Sequence, residues 1–348
     1  MTEGQMAGML EFLQRFGTEE ACIDHLATLR WPGGYVCPRC GGRAAWRLPS
    51  RPRTFECAGC HHQESVTAGT IFHRTRTPLP SWFLAAYLMG ADKRGVSAKF
   101  LQRQLGVAYQ TAWTIAHKLR HGLNEDEARP LKGLIEADET FIGGRGDPAS
   151  PGRSTDNPDK SLVVAAIEKV PAPKTNGKHG HALKRQHGFY AGAARISVLP
   201  AATGEELGRF LKANIEAKSH LLTDGFSGYQ GKDAALGDHL KHTPIVQGDG
   251  ANAAEFFPIV HTIFSNIKAW LVGTHHGVSA KHLPRYLREW QYRFNRRNLS
   301  GGPALWLIRR AVECATITYE QIVEGAMVGG ATRKPRRSFV ELIPALAG

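Results

Sequence analysis

Acidic residues are in short supply in this 348-residue chain: 31 Asp and Glu stand against 44 Lys and Arg, a formal net charge of +13 before any of the 16 histidines is counted. That deficit favours a polyanionic partner such as nucleic acid. Cysteine is scarce too, six in all, and four of them fall in two Cys-x-x-Cys pairs while Cys22 and Cys314 stand alone. This spacing speaks against a disulfide framework and for zinc in a reducing cytoplasm. No apolar run is long enough to span a bilayer. The N-terminal MTEGQMAGMLEFLQRF is amphipathic and carries both signs of charge, unlike a signal peptide. Internal repeats and extended low-complexity tracts are also lacking. The expectation is a cytoplasmic, nucleoid-associated protein of two or three domains with a core that needs no covalent staples.

What is present begins with Cys37, Cys40, Cys57 and Cys60, in CPRCGGRAAWRLPSRPRTFECAGC. Each pair projects two thiolates to one side, and a hairpin between them closes a tetrahedral four-cysteine site, the signature of a zinc ribbon with structural Zn2+. His61 and His62 follow directly, but four thiolates already complete the shell, so both are expected at the surface. Further on, an apolar helix is predicted from Pro80 or Ser81, with Ser81 as cap. GVSAKFLQRQLGVAYQTAWTIAHKLRHGL then gives a short helix from Ser97, a turn at Gly106 and a second helix from Tyr109 to Leu119. Two short helices joined at a glycine read as a helix-turn-helix, with Gln110, Thr111 and Thr114 placed for bases or phosphates and Lys118 and Arg120 for the backbone. A plain helical linker has the same pattern; the neighbouring ribbon and the basic total favour DNA recognition.

From Leu131 the period changes to that of strands. LKGLIEADETFIGG, SLVVAAIEKV, GFYAGAARISVLPA, SHLLTDG and KHTPIVQ read as five strands, with TGEELGRFLKANIEA a helix capped by Thr203 before the fourth. Three antiparallel strands, a helix, a parallel strand and a last strand is the order of an RNase H-like mixed sheet flanked by helices. In it Asp138 on the first strand and Asp224 at the tip of the fourth are neighbours. The Gly- and Pro-rich stretches 143–160 and 171–188 read as loops. Two carboxylates from separate elements are what a pair of hard cations, Mg2+ or Mn2+, needs to clamp a phosphodiester.

The next helix is predicted to start at Pro258. Ile259, Ile263 and Ile267 form its core stripe, and His261, Ser265 and Lys268 form another, which aims His261 at the aspartates and Lys268 at a phosphate. Imidazole is softer than carboxylate and adds no charge, so it suits manganese better than magnesium. Two alternatives stand beside it: Glu255 as the third carboxylate, or a histidine that hydrogen-bonds near the centre without touching metal. Glu139, next to Asp138, faces the opposite side of its strand. A last helix, Lys281 to Arg297, has Leu283, Leu287, Trp290 and Phe294 as apolar stripe, and its Arg285, Arg288, Arg293, Arg296 and Arg297 are expected to clamp DNA backbone.

Together these parts resemble the ISXO-type branch of bacterial insertion-sequence transposases, through CPRC and CAGC, ADETFIGG, LLTDGFSGY and GTHHGVSAKHLPRYLREWQYRFNRR. The resemblance implies a zinc ribbon and helix-turn-helix joined to a DDE-type core, with Asp138 and Asp224 as metal-binding catalytic residues. Thirty-six residues separate Asp224 from His261, near the family's spacing to its third acidic residue, so His261 stands where that acid is expected. It also implies in-line cleavage at element ends and joining to target DNA, terminal inverted repeats as partners, and a homo-oligomer on DNA. The expected domains are a helical segment 1–30, ribbon 31–72, helix-turn-helix 78–123, catalytic core 130–300 and tail 301–348. Two rival readings are a DNA-binding regulator with a decayed nuclease core and an RNase H-like nuclease that cuts without joining.

Overall fold

Local capping chemistry fixes most of the helix boundaries in the computed structural model, which describes residues 8–92, 94–123, 129–143, 160–171, 188–229, 240–245, 257–297 and 303–325. The chain divides into two units, Met1–Asp126 with Asn298–Gly348, and Glu127–Arg297. The first opens with helices α1 (Met9–Phe16) and α2 (Glu19–Arg30), the latter capped by Thr18, whose hydroxyl accepts the Ala21 N–H at 3.2 Å. Strands β1 (Ala45–Leu48), β2 (Arg51–Cys57) and β3 (Gln63–Ser65) form an antiparallel ribbon in that order. Helix α3 (Leu79–Ala91) begins earlier than expected. Its cap is not Ser81: the Leu79 N–H is held by the Glu19 carboxylate at 2.7 Å, so a side chain from a distant helix does the work of a local one. Helices α4 (Ala98–Leu105) and α5 (Tyr109–Gly122) meet at Gly106, whose left-handed φ of +64° ends α4, and Ser97 accepts the Phe100 N–H at 3.1 Å.

In the second unit, strands β4 (Leu134–Ile142), β5 (Ser161–Pro171), β6 (Phe189–Leu199), β7 (His220–Asp224) and β8 (Lys241–Ile245) make one sheet in the order β6-β5-β4-β7-β8. β4, β5 and β6 are antiparallel, while β7 and β8 run parallel to β4. This is the RNase H-like arrangement. Helix α6 (Gly204–Asn214) precedes β7, and Thr203 accepts the Glu206 N–H at 3.3 Å. On the α6 face, Leu207, Phe210 and Leu211 pack on Ile135, Ala137, Val164, Ala166 and Leu221. Helices α7 (Pro258–His275) and α8 (Leu283–Asn295) cover the other face, where Val260, Ile263, Ile267, Leu287 and Trp290 meet Val163, Ala165 and Ile167. Period-two alternation therefore sends Ile135 and Ala137 to one core and leaves Glu136, Asp138 and Thr140 facing α7.

The stretch expected as a tail returns to the first unit. Helix α9 (Pro303–Glu313) buries Leu307, Ile308 and Ala311 there, with Ala311 close against Gly122 of α5, and α10 (Tyr319–Val323) follows with a full capping box at Thr318 and Gln321. The small residues at the α5–α9 crossing explain the approach. Among the described residues no helix is long and apolar enough to cross a membrane. The two expected loops, Glu255 and the residues after 325 lie outside the described residues.

Candidate active site and zinc ribbon

Asp138 sits in the middle of β4, almost buried, with its carboxylate toward α7. His261, one turn into α7, brings its Nε2 to 3.6 Å from Asp138 Oδ2. β4 and β7 pair through Leu134↔His220 and Glu136↔Leu222; the same register carried two residues on sets Asp224 beside Asp138 on the same face. Asp224 closes the tip of β7 and accepts the Phe226 N–H at 3.2 Å. Two turns along α7, Lys268 donates to the Thr140 hydroxyl at 2.8 Å, on the Asp138 face of β4. One face at the centre of the sheet thus collects Asp138, Asp224, His261 and Lys268.

Burial pushes the His261 imidazole below its ordinary pKa; Glu136 and Asp224 oppose that shift and Lys268 adds to it. The ring is therefore neutral near pH 7, the form that can donate a lone pair to a cation. Burial also lowers the Lys268 ammonium, against the pull of Asp138. Glu139 faces away from this group, as strand geometry requires, and accepts the Tyr229 hydroxyl at 2.7 Å. Glu136, on the Asp138 face, is wholly buried. Its Oε2 accepts the backbone N–H groups of Ile259 and Val260 at 3.1 Å each, and Lys169 Nζ lies 2.8 Å from Oε1. Sequence reading passed over Glu136 and Tyr229; the signal available for the first was a second acid two residues before Asp138, on the same side of one strand.

In the ribbon, Cys37 and Cys60 sulfurs are 3.6 Å apart, and so are those of Cys40 and Cys57. A tetrahedron with Zn–S bonds of ~2.3 Å has edges of ~3.8 Å, so these thiols already outline a zinc shell. The donor atoms of the four cysteines all lie within 4.8 Å of one another. The chain turns tightly beneath each pair: Cys37 N–H bonds Gly42 O at 2.8 Å and Cys57 N–H bonds His62 O at 2.9 Å. A Cβ on Gly42 would come within 3.3 Å of two of the sulfurs, which is why that position is bare. His61 is exposed and lies 3.2 Å from the Glu56 carboxylate, outside the thiol cluster.

An ISXO2-like transposase domain matches residues 130–295, and a transposase zinc-ribbon domain matches residues 17–63. The chain thus carries an ISXO2-like transposase domain and a transposase zinc ribbon. It is 28% identical over 292 residues to an uncharacterized protein in transposable element ISH50 of Halobacterium salinarum, across 81% of this chain and 92% of that one. Among solved structures, a Mos1 mariner paired-end complex with Mn and a pre-cleavage Mos1 transpososome align with 62% of this chain and with 72% and 71% of theirs, at 12% identity and a TM-score of 0.27.

The basic residues of this transposase divide sharply. Gln110 is exposed and Thr111 half-exposed at the start of α5, but Lys118 is half-buried with its Nζ 3.4 Å from Ile71 O. Arg120 is fully buried, so it cannot meet a duplex as expected: α5 turns that side into the core. Arg285 is also fully buried, which removes it from any phosphate clamp. It heads an Arg285, Glu289, Arg293 stripe at four-residue spacing, in which Arg293 Nε lies 3.5 Å from Glu289 Oε1 and its guanidinium 4.8 Å from the Trp270 ring centre. Arg296 stacks 4.2 Å from the Tyr292 ring centre, half-exposed. Arg297, exposed, donates to Phe294 O at 2.6 Å and Gly192 O at 3.3 Å.

That last contact belongs to a set that satisfies the free edge of β6. Gln291 Oε1 accepts the Ile196 N–H at 2.7 Å, and Asn295 takes the Ala194 N–H at 2.8 Å while donating to Ala194 O at 3.0 Å. Unpaired strand edges invite pairing with other chains. Side chains of α8 occupy these positions instead.

Proposed function

We propose that the protein is a DNA transposase that cuts the ends of its insertion sequence and joins them to target DNA, with Asp138, Asp224 and His261 holding divalent cations. The observation that carries this reading is the 3.6 Å approach of His261 to Asp138 from a separate element, on the sheet face that Asp224 shares. Two carboxylates and a neutral imidazole are a donor set that fits Mg2+ or, better, Mn2+. When bound, the cations stabilise the attacking and leaving oxygens of an in-line displacement at phosphorus. Asp138 and Asp224 supply the negative charge that holds them. His261 supplies a lone pair without charge, and Lys268, beside the group at Thr140, is placed to meet a non-bridging phosphate oxygen. The ribbon's zinc has a structural role, since four thiolates leave no open position. Gln110 and Thr111 at the exposed start of α5 read the element's terminal repeats, and the active form is a homo-oligomer on DNA.

The test is incubation of the full-length protein with its own element's end sequence, a target plasmid and Mn2+. Strand-transfer products are expected. Cleavage without joining would make it a nuclease, binding without cleavage a regulator. Strand transfer that survives Asp138→Asn or Asp224→Asn would remove the metal-site assignment.

A further inference from the structure

The EADE run of β4 carries three acids, and the reaction as proposed uses only Asp138. The other two each reach a different element. Glu136, buried on the Asp138 face, closes the first turn of α7 by accepting the Ile259 and Val260 N–H groups at 3.1 Å. Those amides belong to the four N-terminal donors that a helix cannot satisfy itself, and a carboxylate there also meets the positive end of the helix dipole. His261 is the next residue after Val260. Glu136 therefore fixes where α7 begins relative to β4, and with it the distance from His261 to Asp138. Lys169 on β5, with its Nζ 2.8 Å from Glu136 Oε1, orients that carboxylate within the core.

Glu139 does the equivalent on the other face. It accepts the Tyr229 hydroxyl at 2.7 Å, and Tyr229 is fully buried in the short 3-10 turn Ser227–Tyr229 that follows Asp224. The Tyr229 N–H in turn bonds Phe226 O at 3.1 Å, and Phe226 N–H bonds Asp224 Oδ1 at 3.2 Å. A chain of hydrogen bonds thus runs from Glu139 on β4 to the side chain of Asp224 on β7.

We infer that Glu136 and Glu139 are positioning residues that set His261 and Asp224, respectively, against the Asp138 that lies between them on one strand. The inference rests on the proposed reading of the trio as cation ligands. Partners one shell out from a metal ligand typically change affinity ~10–100-fold when removed, through orientation rather than contact.

The experiment uses full-length protein with its zinc retained, titrated with Mn2+ by electron paramagnetic resonance, and amide exchange read at Ile259 and Val260. Glu136→Ala is expected to speed exchange at both amides and to weaken Mn2+ binding on the order of tenfold. In a His261→Ala background the same change should weaken it no further, because Glu136 acts through His261. Tyr229→Phe, which keeps the ring packing, and Glu139→Ala should each weaken Mn2+ binding to the same degree, and the double variant no more than either. Glu136→Gln, which keeps an acceptor for the helix, should fall between Glu136→Ala and the parent. If His261→Ala and Asp224→Asn weaken Mn2+ binding while Glu136→Ala and Tyr229→Phe leave it unchanged, the positioning role is refuted and the site stands. If His261→Ala and Asp224→Asn also leave it unchanged, the site assignment fails and the positioning role falls with it. An undiminished effect of Glu136→Ala in the His261→Ala background also overturns the inference, since Glu136 would then act by another route.

Discussion

Replacing His261 with glutamate tests the site through stability alone, without DNA. His261 Nε2 and Asp138 Oδ2 are 3.6 Å apart, the histidine side chain about one-third exposed and the aspartate nearly buried. A carboxylate at position 261 would sit at a similar separation from Asp138. Two like charges ~4 Å apart repel by ~4 kcal/mol at an effective dielectric of ~20, and the partial exposure at 261 reduces that to ~2 kcal/mol. For a unit spanning Glu127–Arg297, each kcal/mol moves the melting temperature by ~2–4 °C. His261→Glu should therefore melt ~4–8 °C below the parent in buffer without divalent ions. A cation bound between the carboxylates removes the repulsion, and at ~100 times its dissociation constant it adds ~2.7 kcal/mol. Mg2+ should restore most of the loss in His261→Glu and have little effect on His261→Ala, which removes a donor without adding charge. Differential scanning fluorimetry across a Mg2+ and Mn2+ series reads both. A His261→Glu protein that melts with the parent in the absence of divalent ions, or gains no more from Mg2+ than His261→Ala, would refute the placement of residue 261 beside Asp138 at a cation site.

Four further outcomes follow from particular contacts. Cys40→Ser breaks the thiol set that spans 3.6 Å between Cys40 and Cys57; zinc content by mass spectrometry should fall to background and the ribbon should become protease-sensitive. Gly192→Ala places a Cβ 2.7 Å from the Glu168 Cβ and 2.8 Å from its Oε2, so urea unfolding should show a loss of ~1–3 kcal/mol; an unchanged midpoint would mean the strand bulge at Glu168 yields freely. His25, packed against Phe16 and Phe83, has its pKa lowered to about 4, by burial first and Arg15 second. Its unfolded form takes up a proton near pH 6.5 before its folded form does, so stability present above that pH declines as pH falls toward 4, by ~2 kcal/mol at pH 5; His25→Leu should flatten that part of the pH–stability curve. Asn295→Ala strips the bidentate partner from Ala194 on the β6 edge, which should destabilise by ~1–3 kcal/mol and raise concentration-dependent light scattering.

The order of the sheet and the pairing of β4 with β7 were legible because period-two alternation and the helix between the third and fourth strands leave few ways to arrange these five strands. Cys37, Cys40, Cys57 and Cys60 were legible because thiol spacing alone nearly defines a ribbon. The place of His261 on the face away from the Ile263 and Ile267 stripe came from helical spacing. What could not be read was anything set by partners distant in sequence. Glu136 meets backbone amides 123 and 124 residues away, and Glu139 meets a tyrosine 90 residues away; no local pattern distinguishes such acids from solvated ones. The same holds for Glu19, which caps α3 from 60 residues upstream and displaced Ser81 from that role.

The arginines of α8 show most clearly where reading by periodicity stops. An apolar stripe of Leu283, Leu287, Trp290 and Phe294 suggests that everything else on the helix is surface, and five arginines then look like a DNA clamp. But α8 lies over an antiparallel edge, so a wider arc is covered than the apolar residues mark out. The additional arc is filled by the Arg285, Glu289, Arg293 stripe, where alternating charge at four-residue spacing lowers the penalty of burial, and by Gln291, Asn295 and Arg297, whose donors and acceptors match the open strand. A glutamate four residues before Arg293 was the available sign that this charge is paired within the protein. Of the basic side chains assigned to DNA from sequence, Arg120 and Arg285 are sealed in cores, Lys118 and Arg293 are held by protein partners, and Arg297 ties down β6. Lys268, beside Asp138, is exposed, and Arg288 and Arg296 are half-buried in the same unit.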